Sequence, residues 1–456
     1  MSDDHMSGME AMMWNVEHDP WLDPNGGGIA IYDRPLDIDL FRRSMRHAVA
    51  EVPRLRQRVA PGLGPLSTPR WVYDHEFDLD WHVRHIGAPG GGSLRDLLDY
   101  FTPWLQDPYD RTRPLWAYVV VDGLADGRGA LLTKVHHAVG DGESVVKMSL
   151  AYTGRERDAP PPPDVDLDAL IDSDPDEHVG LVSTAWDAIS QGLRRPADLG
   201  RRVLRNVMTP GAVGRAGAEA ADLLKTANEQ MRPAGSDLWR NRSRGRHVEA
   251  FSLPFEPVHA AAHTLGGTIN DFFLAGAIEA CVRYHQQFDS TPEMFHITLV
   301  VNTHSDDDDA ANAFSPVPVE VAGKPMPLAD RFVEVHDLVR AKRDEVHGAG
   351  PLAAMAPVVN LLPIPLMTGL AREQTGHIDF ATSNLPGFRG ETFVAGAKTL
   401  HTYPFGPVAG TAFNLTMMST DDVLDVGLNI DPVAVTEPGV LVAHLQAAYA
   451  DLQALG

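Results

Sequence analysis

The sequence has 456 residues, more than one hydrophobic core usually supports, so two domains are expected. Hydrophobic residues make up 44% and charged residues 22%, which is the balance of an ordinary soluble globular protein. The formal net charge is -24, from 62 acidic and 38 basic side chains, and this excess argues against binding of nucleic acid. Any anionic ligand must therefore meet a local basic patch.

The single cysteine, Cys281, excludes an intramolecular disulfide framework and favours a cytoplasmic protein. It lies in an apolar run and is interpreted as buried rather than nucleophilic. The first residues lack a basic region followed by an apolar core, so no secretory signal is expected. The apolar stretch from Val346 to Ala371 contains four prolines, which disfavour a membrane-spanning helix. Short apolar helices that line a core or an apolar cleft are expected there.

The first third of the chain, residues 1–154, alternates predicted strands and helices. Strands are predicted at residues 28–32, 70–73, 116–121 and 130–135. Helices are predicted at residues 38–52 and 93–105, with Pro53 ending the first. This region is interpreted as the N-terminal half of the molecule.

Residues 155–247 differ in composition and are interpreted as an acidic linker followed by a basic helical bridge. Residues 155–178 hold nine acidic side chains and two arginines, which is typical of a solvated linker. Residues 179–246 hold twelve basic and six acidic side chains, with apolar residues recurring at helical spacing. Two interpretations stay open: an interdomain bridge, or a basic surface for anionic lipid or a coenzyme A phosphate.

The second half, residues 248–456, repeats the mixed plan. A capping box from Thr268 to Asp271 predicts the start of a long helix that continues to Tyr284. Strands are predicted at residues 295–302, 316–321, 377–381 and 412–418. Further helices are predicted at residues 328–346 and 440–455.

The run from His136 to Gly142 contains the candidate catalytic residues. Both histidines end an apolar strand, and adjacent residues of a strand point to opposite faces, so only one can enter a given cleft. A neutral imidazole suits the removal of a hydroxyl proton near neutral pH. His137 is predicted as the general base, with His136 beside it. Asp141 either orients the imidazole directly or holds the loop through a buried arginine, and both roles stay open.

Other catalytic arrangements are absent from the sequence. There is no Gly-x-Ser-x-Gly nucleophile elbow, no phosphate-binding loop and no clustered Cys/His spacing typical of zinc. The acidic run from Asp306 to Asp309 lacks the spaced oxygen ligands of a calcium loop. No metal site and no cofactor are therefore expected.

Several motifs in order resemble one family. The histidine motif resembles the coenzyme A-dependent acyltransferase superfamily, and further segments are similar to the bacterial wax ester synthase/acyl-CoA:diacylglycerol acyltransferase family. These segments are Pro114-Leu115-Trp116, Asn270-Asp271, Ser383-Asn384-Leu385-Pro386-Gly387, and Asn414 with the stretch 427–431. The sequence departs from the family pattern at Ser7-Gly8-Met9-Glu10, at Ala311-Asn312 and at Phe388.

The resemblance implies an α+β fold of two chloramphenicol-acetyltransferase-like domains, with mixed sheets flanked by helices and an active-site tunnel between them. It implies acyl-CoA as co-substrate and a long-chain alcohol or diacylglycerol as acceptor, with no acyl-enzyme. Backbone amides or Asn270 are expected to stabilise the oxyanion. Contacts with substrate are expected from four residues: Gly142, Asn270, Trp116 and Asn384.

Two rival functions remain. A peptide-synthetase condensation domain shares the histidine motif, but this chain has no attached carrier domain and does contain Pro114-Leu115-Trp116. A non-catalytic lipid-surface binding protein would use the basic residues after Val179. A peripheral position on the inner membrane or on lipid droplets is compatible with the predicted enzyme.

Overall fold

The computed structural model describes residues 5–62, 67–140, 142–175, 234–302, 314–345, 356, 359–360, 362–420 and 422–456. Within these residues the chain forms two six-stranded sheets flanked by helices, and a small sheet of two strands. Parallel and antiparallel pairs occur in both large sheets. The predicted α+β class is therefore confirmed.

The first sheet is built mostly from the N-terminal half. Its strands are β1 (Asn25–Tyr32), β4 (Val83–Gly87), β5 (Trp116–Asp122), β6 (Gly129–His136), β11 (Phe393–Val394) and β12 (Ala397–Phe405). They lie in the order β11-β12-β1-β6-β5-β4, so β1 is central between β12 and β6. The small sheet pairs β2 (Gln57–Ala60) with β3 (Arg70–Tyr73). The predicted strands at residues 28–32, 70–73, 116–121 and 130–135 are confirmed.

Among the described residues, six α-helices belong to this half. They are α1 (Gly8–Val16), α2 (Ile38–Glu51), α3 (Leu79–His82), α4 (Leu94–Gln106), α5 (Gly142–Ser149) and α6 (Leu167–Ser173), with a short 3-10 helix at Pro53–Arg56. The helix α4 begins at a capping box in which Ser93 and Asp96 bond each other's backbone amides. Its apolar face, with Leu97 and Phe101, packs on the sheet face that carries Ile29 and Leu132.

The second sheet is built from the C-terminal half. Its strands are β7 (His247–Pro254), β8 (Met294–Asn302), β9 (Phe314–Ala322), β10 (Phe380–Pro386), β13 (Phe413–Ser419) and β14 (Val423–Ile430), in the order β7-β14-β13-β10-β8-β9. Helices are α7 (Phe255–Thr264), α8 (Ile269–Gln287), α9 (Leu328–Glu345), α10 (Ile364–Gly376) and α11 (Pro438–Leu455). The capping box predicted at Thr268 is present, with Asp271 as its second member.

The helix α8 is buried along almost its whole length between the second sheet and α11. Cys281 lies within it and is fully buried, as expected from the sequence. In the described part of the chain, no single helix meets the length and hydropathy needed to cross a bilayer. The helices α7 and α8 meet the length and hydropathy criteria only as a pair, which is bent by 91° at the break between them.

The two sheets meet where β12 crosses from the C-terminal half into the first sheet. β12 pairs with β1 in antiparallel register, with Ile29 opposite Tyr403. Behind β12, the strand β14 approaches so closely that a Cβ at Gly427 would lie 1.9 Å from the Pro404 carbonyl oxygen. The first sheet therefore contains strands from both halves, and the predicted domain limits at residues 154 and 248 stay predictions.

The helix α1 also joins the halves, and the sequence analysis did not predict it. Ser7 and Glu10 form its capping box. Met9 and Met12 pack against Leu362 and Met367 of the C-terminal half. The stretch at Ser7 that departs from the family pattern is therefore a regular helix start.

Candidate active site

The histidine motif follows β6, whose side chains alternate between two environments. Leu131, Thr133, Val135 and His137 lie along a cavity between the two sheets. The intervening Lys134 and His136 are buried in the opposite direction, at 3% and 0% exposure. This is the alternation expected for adjacent strand residues, and it brings only His137 to the cavity.

The imidazole of His137 lies over the backbone of Gly26 in β1. A Cβ at Gly26 would be 3.7 Å from Nε2 of His137 and 4.0 Å from its Cδ2. Gly26 has no side chain, and both Gly26 and His137 line the cavity. His137 is half-buried, so it combines access from the cavity with shielding from bulk water.

His136 instead takes part in a buried polar cluster. Its Nδ1 accepts the backbone N–H of Ala138 at 2.9 Å, so the proton of a neutral ring sits on Nε2. That Nε2 lies 3.6 Å from Oε2 of Glu17, and Arg111 lies 3.4 Å from the same oxygen. Burial acts to raise the pKa of Glu17, but its contacts with His136 and Arg111 outweigh burial and lower it. Glu17 is therefore ionised, and the sequence analysis did not identify it.

The segment Pro114-Leu115-Trp116 holds the end of β6 through a backbone hydrogen bond. The carbonyl of Leu115 accepts the backbone N–H of His136 at 3.1 Å. Trp116 is 1% exposed, and its indole N–H donates to the Leu55 carbonyl at 2.8 Å. Trp116 stacks on His82, with ring centroids 4.5 Å apart, and is not among the residues lining the cavity. The structure thus places the predicted substrate contact Trp116 in the core.

The cavity beside His137 has a volume of about 1480 Å³. It is bounded by both sheets and by α10, whose residues Met367, Leu370 and Ala371 face it. Most lining side chains are apolar, and a few polar groups come from the second sheet, such as Ser383, Asn384 and Asn414. The helix α10 begins within the stretch 346–371 and lines the cavity, as expected for that part of the stretch; most of residues 346–361 lie outside the described residues.

A smaller cavity of about 440 Å³ adjoins the large one at Asn384, which lines both. Asn270 lies there, and its Oδ1 accepts a hydrogen bond from Nδ2 of Asn384 at 3.4 Å. The start of α8 borders this cavity together with three potential cations: His259, His263 and Arg343. The predicted residues Asn270 and Asn384 are therefore together, at the junction of the two cavities.

Some predicted features lie outside the described residues or only partly within them. Asp141 lies outside them, so its two possible roles stay predictions. Gly142 begins α5, and its contact with substrate stays a prediction. Most of the basic stretch 179–246, up to residue 233, and the acidic run 306–309 also lie outside the described residues. Within the described part of the chain, no cluster of three or more His, Cys, Asp or Glu could hold a metal ion.

Comparison with known proteins identifies the family. The wax ester synthase/diacylglycerol acyltransferase catalytic domain matches residues 6–273, and the C-terminal domain of the same family matches residues 311–453. A Mycobacterium tuberculosis H37Rv protein, named as a candidate diacylglycerol O-acyltransferase, is 32% identical over 99% of this chain and 92% of its own length. The chain belongs to the wax ester synthase/diacylglycerol acyltransferase family.

Solved structures agree on the fold. The wax ester synthase/diacylglycerol acyltransferase from Marinobacter aquaeolei VT8 superposes with a TM-score of 0.68 at 21% identity, covering 98% of both chains. The first condensation domain of the calcium-dependent antibiotic synthetase gives a TM-score of 0.58 at 16% identity, covering 98% and 97%. The predicted two-domain, chloramphenicol-acetyltransferase-like fold is thus confirmed. As a member of this family, the protein is an acyltransferase.

The residues Glu17 and Gly26 belong to the site although sequence reasoning missed both. Glu17 follows α1 and reaches His136 only because that helix packs across the two halves. Gly26 begins a run of three glycines in the sequence, which is an available sign that the backbone there lies close to another group. The strand predicted at residues 28–32 in fact starts at Asn25 and includes all three.

Proposed function

We propose that this acyltransferase moves a fatty acyl group from coenzyme A to the hydroxyl of a long-chain alcohol or diacylglycerol. His137 removes the hydroxyl proton as the oxygen attacks the thioester carbonyl. The observation that carries the proposal is the position of His137 on the wall of a 1480 Å³, mainly apolar cavity. Such a cavity suits two lipid chains, since apolar surface removed from water contributes favourably to binding.

Direct transfer, without an acyl-enzyme, is part of the proposal. Cys281 is fully buried and burial raises the pKa of its thiol, so it is a poor nucleophile. The hydroxyl of Ser149 on the cavity wall donates to the Val146 carbonyl. Covalent catalysis would need a nucleophile activated by a neighbouring base. Backbone amides or Asn270 would then stabilise the oxyanion of the tetrahedral intermediate.

The smaller cavity would hold the phosphates of coenzyme A. Its Arg343 and the N-terminus of α8 offer positive charge in a protein whose net charge is -24. Asn384 links this cavity to the one beside His137, so one acyl-CoA would extend through both. Arg343→Ala should raise the KM for acyl-CoA and leave that for the alcohol unchanged. Arg340→Ala, an exposed arginine on the same helix, serves as control.

The decisive experiment follows thiol release by the purified protein with acyl-CoA and a panel of alcohols, diacylglycerol and amines. The proposal predicts release with hydroxyl acceptors and intersecting double-reciprocal lines when both substrates are varied. Preference for amines would favour a condensation-like reaction instead. Parallel lines, or an acylated protein seen by mass spectrometry after acyl-CoA alone, would contradict direct transfer.

We also propose that the enzyme works in the cytoplasm at a lipid surface, where its acceptors reside. The support is the charge reversal at residues 179–246, with twelve basic and six acidic side chains. Flotation with anionic and neutral vesicles at low and high salt tests this. Salt-sensitive recovery with anionic vesicles alone is expected, and equal recovery with both kinds would contradict it.

A further inference from the structure

One face of β1 carries side chains that increase abruptly in size with distance from His137. Gly26, Gly28, Ala30 and Tyr32 alternate onto this face, and all four line the large cavity. His137 lies over the first of them. The floor beside the imidazole is therefore bare backbone, and the first large side chain on it is Tyr32.

Packing does not require glycine at the first position of this row, and at Gly28 a Cβ would need only a small shift of the Thr133 hydroxyl. A Cβ at Gly26 would meet only ordinary contacts at 3.7 Å, and one at Gly28 would lie 3.2 Å from Oγ1 of Thr133. On the opposite face, by contrast, a Cβ at Gly27 would lie 2.6 Å from the Thr133 carbonyl oxygen. Neither Gly26 nor Gly28 has the positive φ that would restrict a side chain. The small residues therefore keep space open.

The wall that β6 forms beside this floor is apolar except at Thr133, which pairs with Gly28. Leu131 and Val135 of β6 stand beside the row, since Ala30 pairs with Leu131 and Gly26 with Val135. Val145 and Val146 of α5 also line the cavity. An extended alkyl chain placed here would exchange water for apolar contact along most of its length.

The far part of the cavity holds polar groups. Tyr32 is 2% exposed and lines the cavity. Tyr118 and Tyr152 line the cavity beside it, with ring centroids 5.8 Å apart. The row thus ends at a buried ring, and two further tyrosine rings line the same cavity.

We propose that a linear alkyl chain of the substrate lies along Gly26, Gly28 and Ala30, and that Tyr32 limits its length. This inference rests on the proposed function. A strand rises about 3.3 Å per residue, so Gly26 and Tyr32 are about 20 Å apart. Carbon–carbon bonds of about 1.5 Å advance an extended chain by about 1.25 Å per carbon, which gives a limit of about 16 carbons.

The chain could belong to the acyl donor or to the alcohol, and two series of substrates distinguish these sources. One series varies acyl-CoA from 6 to about 20 carbons with octanol fixed, and the other varies the alcohol with octanoyl-CoA fixed. The limit for wild type should fall near about 16 carbons in one series only. Each methylene beyond the limit should lower kcat/KM about tenfold or more.

Variants move the limit in opposite directions. Ala30→Leu should shorten it to about 10 carbons, because four residues of strand span about 13 Å. Tyr32→Ala should lengthen it, while Tyr32→Phe should leave it unchanged because the ring is retained. Circular dichroism and the melting temperature verify that all three variants fold.

The outcomes separate this inference from the proposed function. An active wild type whose limits are unchanged by Ala30→Leu and Tyr32→Ala in both series would overturn the inference alone. A limit that moves equally in Tyr32→Phe and Tyr32→Ala would overturn the role of ring volume. A wild type that transfers no acyl group in either series would overturn the proposed function itself.

Discussion

The imidazole of His137 faces the bare backbone of Gly26, with Nε2 3.7 Å from where a Cβ on Gly26 would lie. One residue earlier, His136 points away from the cavity and meets Glu17. Two adjacent histidines therefore have separate environments, one accessible to lipid and one buried among charges. The predictions below test how each environment acts.

Filling the space beside the imidazole should impair catalysis more than folding. Gly26→Val should lower kcat about a hundredfold, because a displacement of the reacting groups by about 1 Å has an effect of that order. The melting temperature of the smaller variant Gly26→Ala should change little, since a Cβ at Gly26 meets only ordinary contacts. Gly87→Val is the control, because a Cβ there meets no atom within 4 Å. Equal activity of the two variants would show that the space at Gly26 is not used.

Glu17 should stabilise the fold in a pH-dependent way. Folding lowers its pKa below the ordinary value of 4.5, so ionised Glu17 stabilises the fold above pH 4.5. This contribution is lost as the pH falls through the lower pKa of the folded state. Glu17→Gln should therefore reduce the free energy of unfolding by about 1–3 kcal/mol at pH 7, and the difference from wild type should shrink in acid. The exposed Glu51→Gln should show neither effect.

Lys134 should also make the free energy of unfolding rise with pH, but in the alkaline range. Burial lowers its pKa from 10.5 to about 8, while its ammonium donates to the carbonyls of Trp104 and Asp107. Between pH 8 and 10.5 the unfolded chain binds more protons, so wild type gains stability as the pH rises, by about 3 kcal/mol at most. Urea unfolding at pH 7.5 and 10 should show this gain in wild type and in the exposed control Lys324→Met. If the Lys134→Met variant shows the same increase in stability between the two pH values, groups other than Lys134 cause it.

Trp116 should act on stability rather than on substrate binding. Its indole is 1% exposed and donates to the Leu55 carbonyl, so Trp116→Phe leaves a buried acceptor without its donor. A loss of about 1–3 kcal/mol in the free energy of unfolding is expected, with KM values unchanged. Trp81→Phe, at a 43% exposed site, is the matched control. A raised KM at unchanged stability would instead support the substrate contact predicted from the family motif.

The sequence predicted local features of the site well because they depend on local rules. The opposite directions of His136 and His137 follow from the two-residue period of a strand. The start of α8 at Thr268 follows from its capping box, in which neighbouring residues satisfy each other's amides. Both features depend only on residues that lie close together in the sequence.

Features that depend on distant pairing could not be predicted in the same way. β12 completes the first sheet beside β1, although about 370 residues separate them in the chain. The helix α1 lacks a polar face because it is buried against both halves, so it shows no amphipathic period. Glu17 and Gly26 become part of the site only through these long-range contacts.

Replacement of His137 tests the central claim most directly. His137→Ala should lower kcat/KM for acyl transfer about 10²–10⁴-fold, the usual loss when a general base is removed. Its melting temperature should remain near that of wild type, because His137 borders a cavity. His75→Ala, at an exposed histidine, should keep full activity. Near-normal turnover by a folded His137→Ala variant would contradict the assignment of His137 as the general base.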